Sequence, residues 1–303
     1  MKPTILRRLF VVIVAAGMGV LSASRSAAEN DGPSIPARVR IGIMESLFRG
    51  APPERVTALL KPLQNLVETQ VGIETQVTTI PDARALGREL SEGRMHLGVF
   101  HGHELAWVKC AYPQLRPLVL AGIQERRITA CLVVRKDSPI RSFADLHAQK
   151  VSLPIINRAH CRLFVDRCCR NCGQPPPRFF ADIDEPDNFE DALDNVVDEL
   201  VAGAVIDNDA LANYQARKPQ RFAQLRMAVE SEVFPDSAFV CHPDQLGEAL
   251  IERITARLLK ANDSQQGKLL MTLSGINGLR RADADYDKQL AAILKAYPAA
   301  VEE

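Results

Sequence analysis

The chain has 303 residues with 37 basic and 37 acidic side chains, a formal charge of zero at neutral pH. That balance excludes the basic footprint that nucleic-acid binding needs, and the length exceeds what one compact core usually takes, so two domains are expected. Seven cysteines are an odd number, so in an oxidising compartment at least one stays unpaired within the chain.

Lys2, Arg7 and Arg8 precede an almost entirely apolar run from Leu9 to Leu21, and Ser26-Ala27-Ala28 then supplies small residues. This order predicts a cleavable secretory signal over residues 1–28, and with it a periplasmic or otherwise secreted protein. The apolar run falls short of the roughly 18–20 residues that span a bilayer, and no cysteine follows it to carry a lipid anchor. Cleavage after Ala28 removes four of the 37 basic residues and none of the 37 acidic ones, leaving a net charge of about −4. No later stretch is apolar over a spanning length. Residues 29–37, polar and punctuated by Pro33 and Pro36, read as a flexible leader.

Beyond the leader, strand and helix patterns alternate. Val39–Met44 is a short β-like run. Pro53 to Gln70 carries Val56, Leu59, Leu60, Leu63, Leu66 and Val67 at helical spacing. Glu74–Ile80 alternates as a strand, Asp82 caps a helix running to Glu92, and Leu97–Phe100 is a short buried strand. The alternation continues with strands at Thr129–Arg135 and Lys150–Leu153, a short helix at Ser142–His147, and a helix from Arg158 to Asn171. An amphipathic helix at Phe189–Leu200 leads into a strand at Ala202–Ile206. After a late strand at Ala238–Cys241 the remainder is helical, over Gly247–Ala261, Gln266–Ser274 and Asp283–Ala296. Such alternation predicts an α/β protein with helices covering its sheets.

Four segments in order carry a more specific signal. They are Val39-Arg40-Ile41-Gly42-Ile43 with the Lys61-Pro62-Leu63 to Val71-Gly72-Ile73 block; Leu90 to Gly98; Val133-Val134-Arg135-Lys136-Asp137-Ser138-Pro139-Ile140 running into Phe143-Ala144-Asp145-Leu146; and Asp191-Ala192-Leu193 onward to Gly203-Ala204-Val205-Ile206-Asp207. Together they resemble the phosphate/phosphite/phosphonate-type (PhnD-like) solute-binding proteins of ABC transporters, over residues 39–275. The resemblance implies a type II periplasmic-binding-protein fold: mixed sheets flanked by helices in two lobes, joined by crossover hinge strands near residues 125–132 and 232–241. Lobe 1 is then 38–128 plus 238–303, and lobe 2 is 129–237. Ligands of such folds lie in the cleft beyond the C-terminal strand ends. The expected partners are a small-molecule ligand and an ABC permease, with no nucleic acid, no cofactor, and the protein a monomer.

The chain also departs from the family pattern. Where a hydroxyl-rich, oxyanion-holding loop is usual, it reads Pro154-Ile155-Ile156-Asn157-Arg158-Ala159-His160-Cys161. Phe189 replaces a usual His, and His96 a usual Asp.

The candidate ligand contacts follow from placement at strand ends. Asn157, Arg158, Ala159 and His160 open a helix whose N-terminus favours an anion, and Arg158 could clamp a carboxylate or phosphate; the plainer reading makes Asn157 a cap and Arg158 a solvated loop residue. Glu45, Ser46 and Phe48 follow the first strand, offering a carboxylate, a hydroxyl and a packing wall, or else an exposed turn. His101, His103 and Glu104 invite a metal reading, but spacing fixes no further convergent partner, so Gly102 is expected to allow close backbone approach to the ligand. Asp207 is placed near the ligand with Asp209 capping the following helix, the alternative being Asp207 as the cap.

Cys161, Cys168 and Cys172 fall on one helix face with Phe164 and Val165, predicting an apolar, core-facing stripe. Disulfides between Cys169 and Cys172, and between Cys131 and Cys241 on the crossover strands, are the alternatives to free thiols. No Gly-x-Ser-x-Gly, phosphate-binding Gly-x-x-x-x-Gly-Lys or His-Glu-x-x-His motif occurs, so the chain reads as a binder, not an enzyme. Rival readings are a ligand-sensing module of a signalling system, or a metal- or thiol-dependent protein using His160 and the cysteines.

Overall fold

The computed structural model describes residues 36–48, 52–122, 127–155 and 159–299. The expected signal sequence, residues 29–35 of the leader, and the candidate contacts Asn157 and Arg158 lie outside the described residues.

In chain order the elements are β1 (Arg38–Met44), α1 (Pro53–Val71), β2 (Glu74–Ile80), α2 (Ala83–Ser91), β3 (Leu97–Phe100), α3 (Gly102–Ala111) and β4 (Arg116–Ala121). There follow β5 (Ala130–Arg135), β6 (Lys150–Ser152), α4 (Ala159–Asn171), α5 (Pro176–Phe179), β7 (Asp182–Asp184), α6 (Phe189–Val197), β8 (Gly203–Asp207), α7 (Asn208–Arg217), α8 (Pro219–Phe222) and β9 (Leu225–Glu230). The chain ends with β10 (Ala238–Cys241), α9 (Glu248–Leu259), α10 (Gln265–Ser274), β11 (Leu279–Arg281) and α11 (Ala284–Ala296). No helix among the described residues is long and apolar enough to cross a membrane.

Among the described residues these strands form two sheets, one per lobe. The first runs β11-β4-β10-β3-β1-β2 and the second β7-β6-β8-β5-β9. In the first, β1 is parallel to β2 and β3, whereas β10 runs antiparallel to both β3 and β4. In the second, β6 is parallel to β7 and β8, whereas β5 runs antiparallel to β8 and β9. β11 also runs antiparallel to β4, and β10 and β5 are the strands by which the chain enters a lobe from the other one. The fold is the α/β, two-lobed, mixed-sheet architecture that the resemblance implies.

Strand alternation sends successive side chains to opposite faces. Val39, Ile41 and Ile43 of β1 bury under α1, α9 and α10, while Met44 packs with the α2, α3 and α11 layer. Gly42 lies between them because a Cβ there would meet the Leu86 side chain of α2. In the second lobe Leu132 and Val134 of β5 face α4, and Cys131 and Val133 face α6 and α7. Strands covered on both faces read as continuous apolar runs rather than alternating ones.

Two segments cross between the lobes, over residues 122–129 and 231–237, each ahead of an antiparallel strand. They touch at one bridge, where the Phe234 N–H donates to the Ile128 carbonyl at 2.8 Å. Asn208 at the start of α7 holds the outgoing segment, donating to the Arg127 carbonyl (2.6 Å) and accepting from the Thr129 N–H (3.1 Å). The returning segment is tied to the first lobe by the Tyr286 hydroxyl, which donates to the Asp236 carbonyl at 2.6 Å. Arg167 of α4 donates to Glu232 (2.8 Å) and stacks its guanidinium 4.2 Å from the centre of the Tyr297 ring, and the Tyr297 hydroxyl also donates to Glu232 (2.8 Å). Burial alone would raise the Glu232 carboxyl, but the Arg167 and Tyr297 hydrogen bonds outweigh it and hold the pKa below its usual value.

All seven cysteines are free thiols, as in the apolar-stripe reading, and neither alternative disulfide is formed. Cys131 and Cys241 stand in different sheets, on β5 and β10. On α4 the buried face is Cys161, Phe164, Val165 and Cys169, with Cys168 half-buried and Cys172 exposed. The helix is thus rotated by about one residue from the expected stripe. Burial pushes Cys168 up to about 11 and Cys169 up to about 12, which disfavours the thiolate and leaves them small apolar packers.

His96, the replacement for the family's Asp, sits at the strand ends opposite the crossing segments, where its Nδ1 accepts from the Arg40 N–H at 2.9 Å. Burial, with the adjoining Arg40 charge adding to it, lowers its pKa to about 4. Because this lies below the unfolded value of about 6.5, the native state binds fewer protons than the unfolded one. The contribution is full above about pH 6.5 and is lost as pH falls toward 4. The urea midpoint is expected to fall over that window, and less steeply in His96→Asn, which keeps an acceptor but no titrating ring; an unchanged slope contradicts the assignment. The second expectation concerns Gly102, whose added Cβ would meet the Pro235 carbonyl oxygen and ring. Gly102→Ala should cost about 1–3 kcal/mol through overpacking of the returning segment, read by equilibrium unfolding, and a change too small to measure would contradict it.

Candidate functional site

A cavity of about 390 Å³ opens where the crossing segments meet the strand ends of the first lobe. Its first-lobe wall comes from Ile43 and Val99 at the ends of β1 and β3, from Ser46 and Phe48 in the 3-10 turn after β1, and from His101 and His103 at the start of α3. Its second-lobe wall is the first turn of α4, Ala159 and His160, with Ile128, Phe234 and Ser237 of the crossing segments between them. The deeper end lies between α1 and α10 and is lined by leucines of both helices. Parallel strands end together, so the turns and helix starts that follow them converge on one edge.

The polar groups of this wall are ordered by Glu104. It is buried, accepts from the Ser46 hydroxyl at 2.6 Å, and accepts from the His101 N–H at 3.2 Å as part of a capping box at the start of α3. Ser46 is therefore oriented by a carboxylate rather than by solvent. The rings of His101 and His103 stack at 5.3 Å between centroids, and Ser237 Oγ lies 3.4 Å from His101 Nδ1. Phe234 is the common neighbour: its ring centre is 5.1 Å from that of His160, 6.0 Å from His103 and 4.8 Å from Tyr297. Burial is the main reason the His103 pKa is held well below its ordinary value, and the proximity of His101 and His160 adds to it. His103 is therefore a neutral imidazole at ordinary pH.

Of the expected ligand contacts, Ser46, Phe48, His101, Ala159 and His160 come together on this one cavity. Three others are placed elsewhere. Glu45 is exposed and outside the lining. Gly102 makes its close approach to the backbone of Pro235 rather than to the cavity. Asp207 is buried and caps α7, accepting from the Ala210 N–H at 2.8 Å, so the cap is Asp207 and not Asp209. Asp sits at that cap because its short side chain reaches the unpaired N–H of the first turn.

With the Glu104 oxygens engaged, the His101–Glu104 stretch is a helix cap. Among the described residues no group of three His, Cys, Asp or Glu is arranged to hold a metal ion. Phe189, where the family has His, begins α6 and packs against the core of the second lobe.

Phe234, Ser237 and the leucine-lined end had no signature of their own. Phe234 and Ser237 belong to a crossing segment without periodicity, and Leu59 and Leu60 share the helical apolar pattern of α1 with residues that face the core.

Comparison with known proteins agrees with this fold. The family model described as "ABC transporter, phosphonate, periplasmic substrate-binding protein" matches residues 50–286. A Xanthomonas citri protein bound to chloride ion superposes with a TM-score of 0.61 at 18% identity, covering 86% of this chain and 98% of its own. PhnD1 from Prochlorococcus marinus in complex with methylphosphonate gives 0.57 at 12% identity, with 86% and 98% covered. A binding-protein component of an ABC phosphonate transporter from Pseudomonas aeruginosa gives 0.55 at 14% identity, with 88% and 90% covered. At such identities the likeness speaks for the fold. A search of curated protein sequences returns no match. Matched by the family model over most of its length, the chain belongs to the periplasmic substrate-binding proteins of phosphonate-type ABC transporters.

Proposed function

We propose that the chain captures a small anionic solute in the cavity between its lobes, closes on it, and presents it to an ABC permease. The observation that carries this reading is that the cavity lining is drawn from both lobes: Ser46 and His101 from the first, Ala159 and His160 from the second. A ligand held by both sides makes contacts that only the closed arrangement offers, and only such differential contacts shift a two-state equilibrium. The lobes that move are taken as residues 38–128 with 238–303, and residues 129–237, turning about the crossing segments.

The anion assignment rests on the donor groups that border the cavity. The first turn of α4 borders the cavity, and a helix N-terminus leaves N–H groups without intrahelical acceptors. His101, His160 and Ser237 add ring N–H and hydroxyl groups. Glu104 sets a negative charge beside them, so an anion needs a compensating cation. We assign that role to Arg158, which directly precedes Ala159 in sequence, with Asn157 as a further polar contact.

Thermal-shift and calorimetric titration with phosphate, methylphosphonate, sulfonates, carboxylates and amines tests the reading. An anion at a hundred times its Kd should stabilise the protein by about 2.7 kcal/mol. Arg158→Ala should weaken that anion by about 30-fold or more, since truncating one side of a buried charge pair costs about 2 kcal/mol at least. Stabilisation by an amine and by no anion would overturn the assignment and make Glu104 the charge partner instead.

A further inference from the structure

We infer that the captured solute is amphipathic, an anionic head carrying an apolar substituent of several carbons, with the substituent housed between α1 and α10. The inference rests on the proposed function for the head and goes beyond it for the tail.

The cavity has two chemically different ends. Toward the crossing segments it offers His101, His160 and Ser237; toward the first-lobe helices it offers Leu59, Leu60, Leu63, Leu273 and Ile276. No Asp, Glu, Lys or Arg among the described residues lines it. These leucines divide by task. Leu63 is buried in the core with Leu66 and Val67, whereas Leu59 and Leu60, one turn earlier on α1, stay half-buried and face the cavity. Leu273 and Ile276 at the end of α10 are half-buried in the same way. Apolar side chains left at a water-accessible wall gain when an apolar group covers them.

Size points the same way. At about 30 Å³ per water-sized group, the volume of about 390 Å³ holds on the order of a dozen such groups. A phosphonate head with a single methyl fills well under half of it. The remainder is the leucine-lined end, where a second polar group would find no charged partner and would lose its hydration without replacement.

A matched series tests the tail separately from the head: methyl-, butyl- and hexylphosphonate, with hexanol as the neutral control, each titrated into the full mature protein by calorimetry. Affinity is expected to rise with chain length by up to roughly fourfold per buried methylene. Leu60→Trp and Leu273→Trp, which fill the apolar end, are expected to cut the ratio of hexyl to methyl affinity by about tenfold, the worth of somewhat under two buried methylenes. Equal affinity of methyl- and hexylphosphonate overturns the tail inference and leaves the proposed function standing. Hexanol binding as tightly as hexylphosphonate keeps the tail and overturns the anion reading. Failure of every member to bind overturns both.

Discussion

The contact on which the rest of the molecule depends is the bridge between the two crossing segments, where Phe234 pairs with Ile128. It is the one described backbone pairing between the segments themselves, and its aromatic ring also lines the cavity. Around that ring sit His160 from the second lobe and His103 and Tyr297 from the first. The Trp107 indole N–H donates to the Tyr297 carbonyl at 2.7 Å, and Arg167 and Glu232 clamp the Tyr297 ring and hydroxyl. Under the proposed closure, movement of one lobe against the other would rearrange the same aromatic group that the ligand touches, and binding and lobe position would be coupled through shared atoms.

The site is a consequence of topology before it is a consequence of residue choice. In the first lobe β1 and β3 run parallel and end side by side, so the Ser46–Phe48 turn and the first turn of α3 lie together. In the second lobe β6 leads into α4, whose first turn faces them. Side-chain chemistry then refines this geometry. Glu104 accepts hydrogen bonds from the Ser46 hydroxyl and the His101 N–H, which fixes the start of α3 and orients both groups. A buried carboxylate is tolerated there because its oxygens are hydrogen-bonded.

Legibility in the sequence followed pattern strength. β2 and β3 match their expected bounds, and α1, α2 and α4 start within one residue of theirs, because alternation, a short apolar run, helical periodicity or the Asp82 cap marks them. β11, at three residues, is too short to show a period, and Pro117 interrupts the apolar run of β4. The edge strand β9 mixes Arg226, Met227 and Glu230 with apolar residues, and so hides its alternation. Five expected contacts share the cavity because strand ends are predictable. Asp207 does not, because a helix start needs a cap and Asp207 was nearest. The cysteine face of α4 was offset because Cys168 and Cys169 are adjacent, and sequence spacing alone does not choose which of two neighbours packs inward. Phe234, the central residue, lies in an aperiodic segment and becomes visible only once the lobes are assembled.

Small-angle X-ray scattering of the mature protein, titrated with the anion that stabilises it most, tests most directly the claim that one ligand engages both lobes. The account predicts a saturable decrease in radius of gyration at the same midpoint as binding, shifted to about 30-fold higher anion concentration or more in Arg158→Ala. Saturated binding with an unchanged radius of gyration would contradict closure and confine the ligand to one lobe.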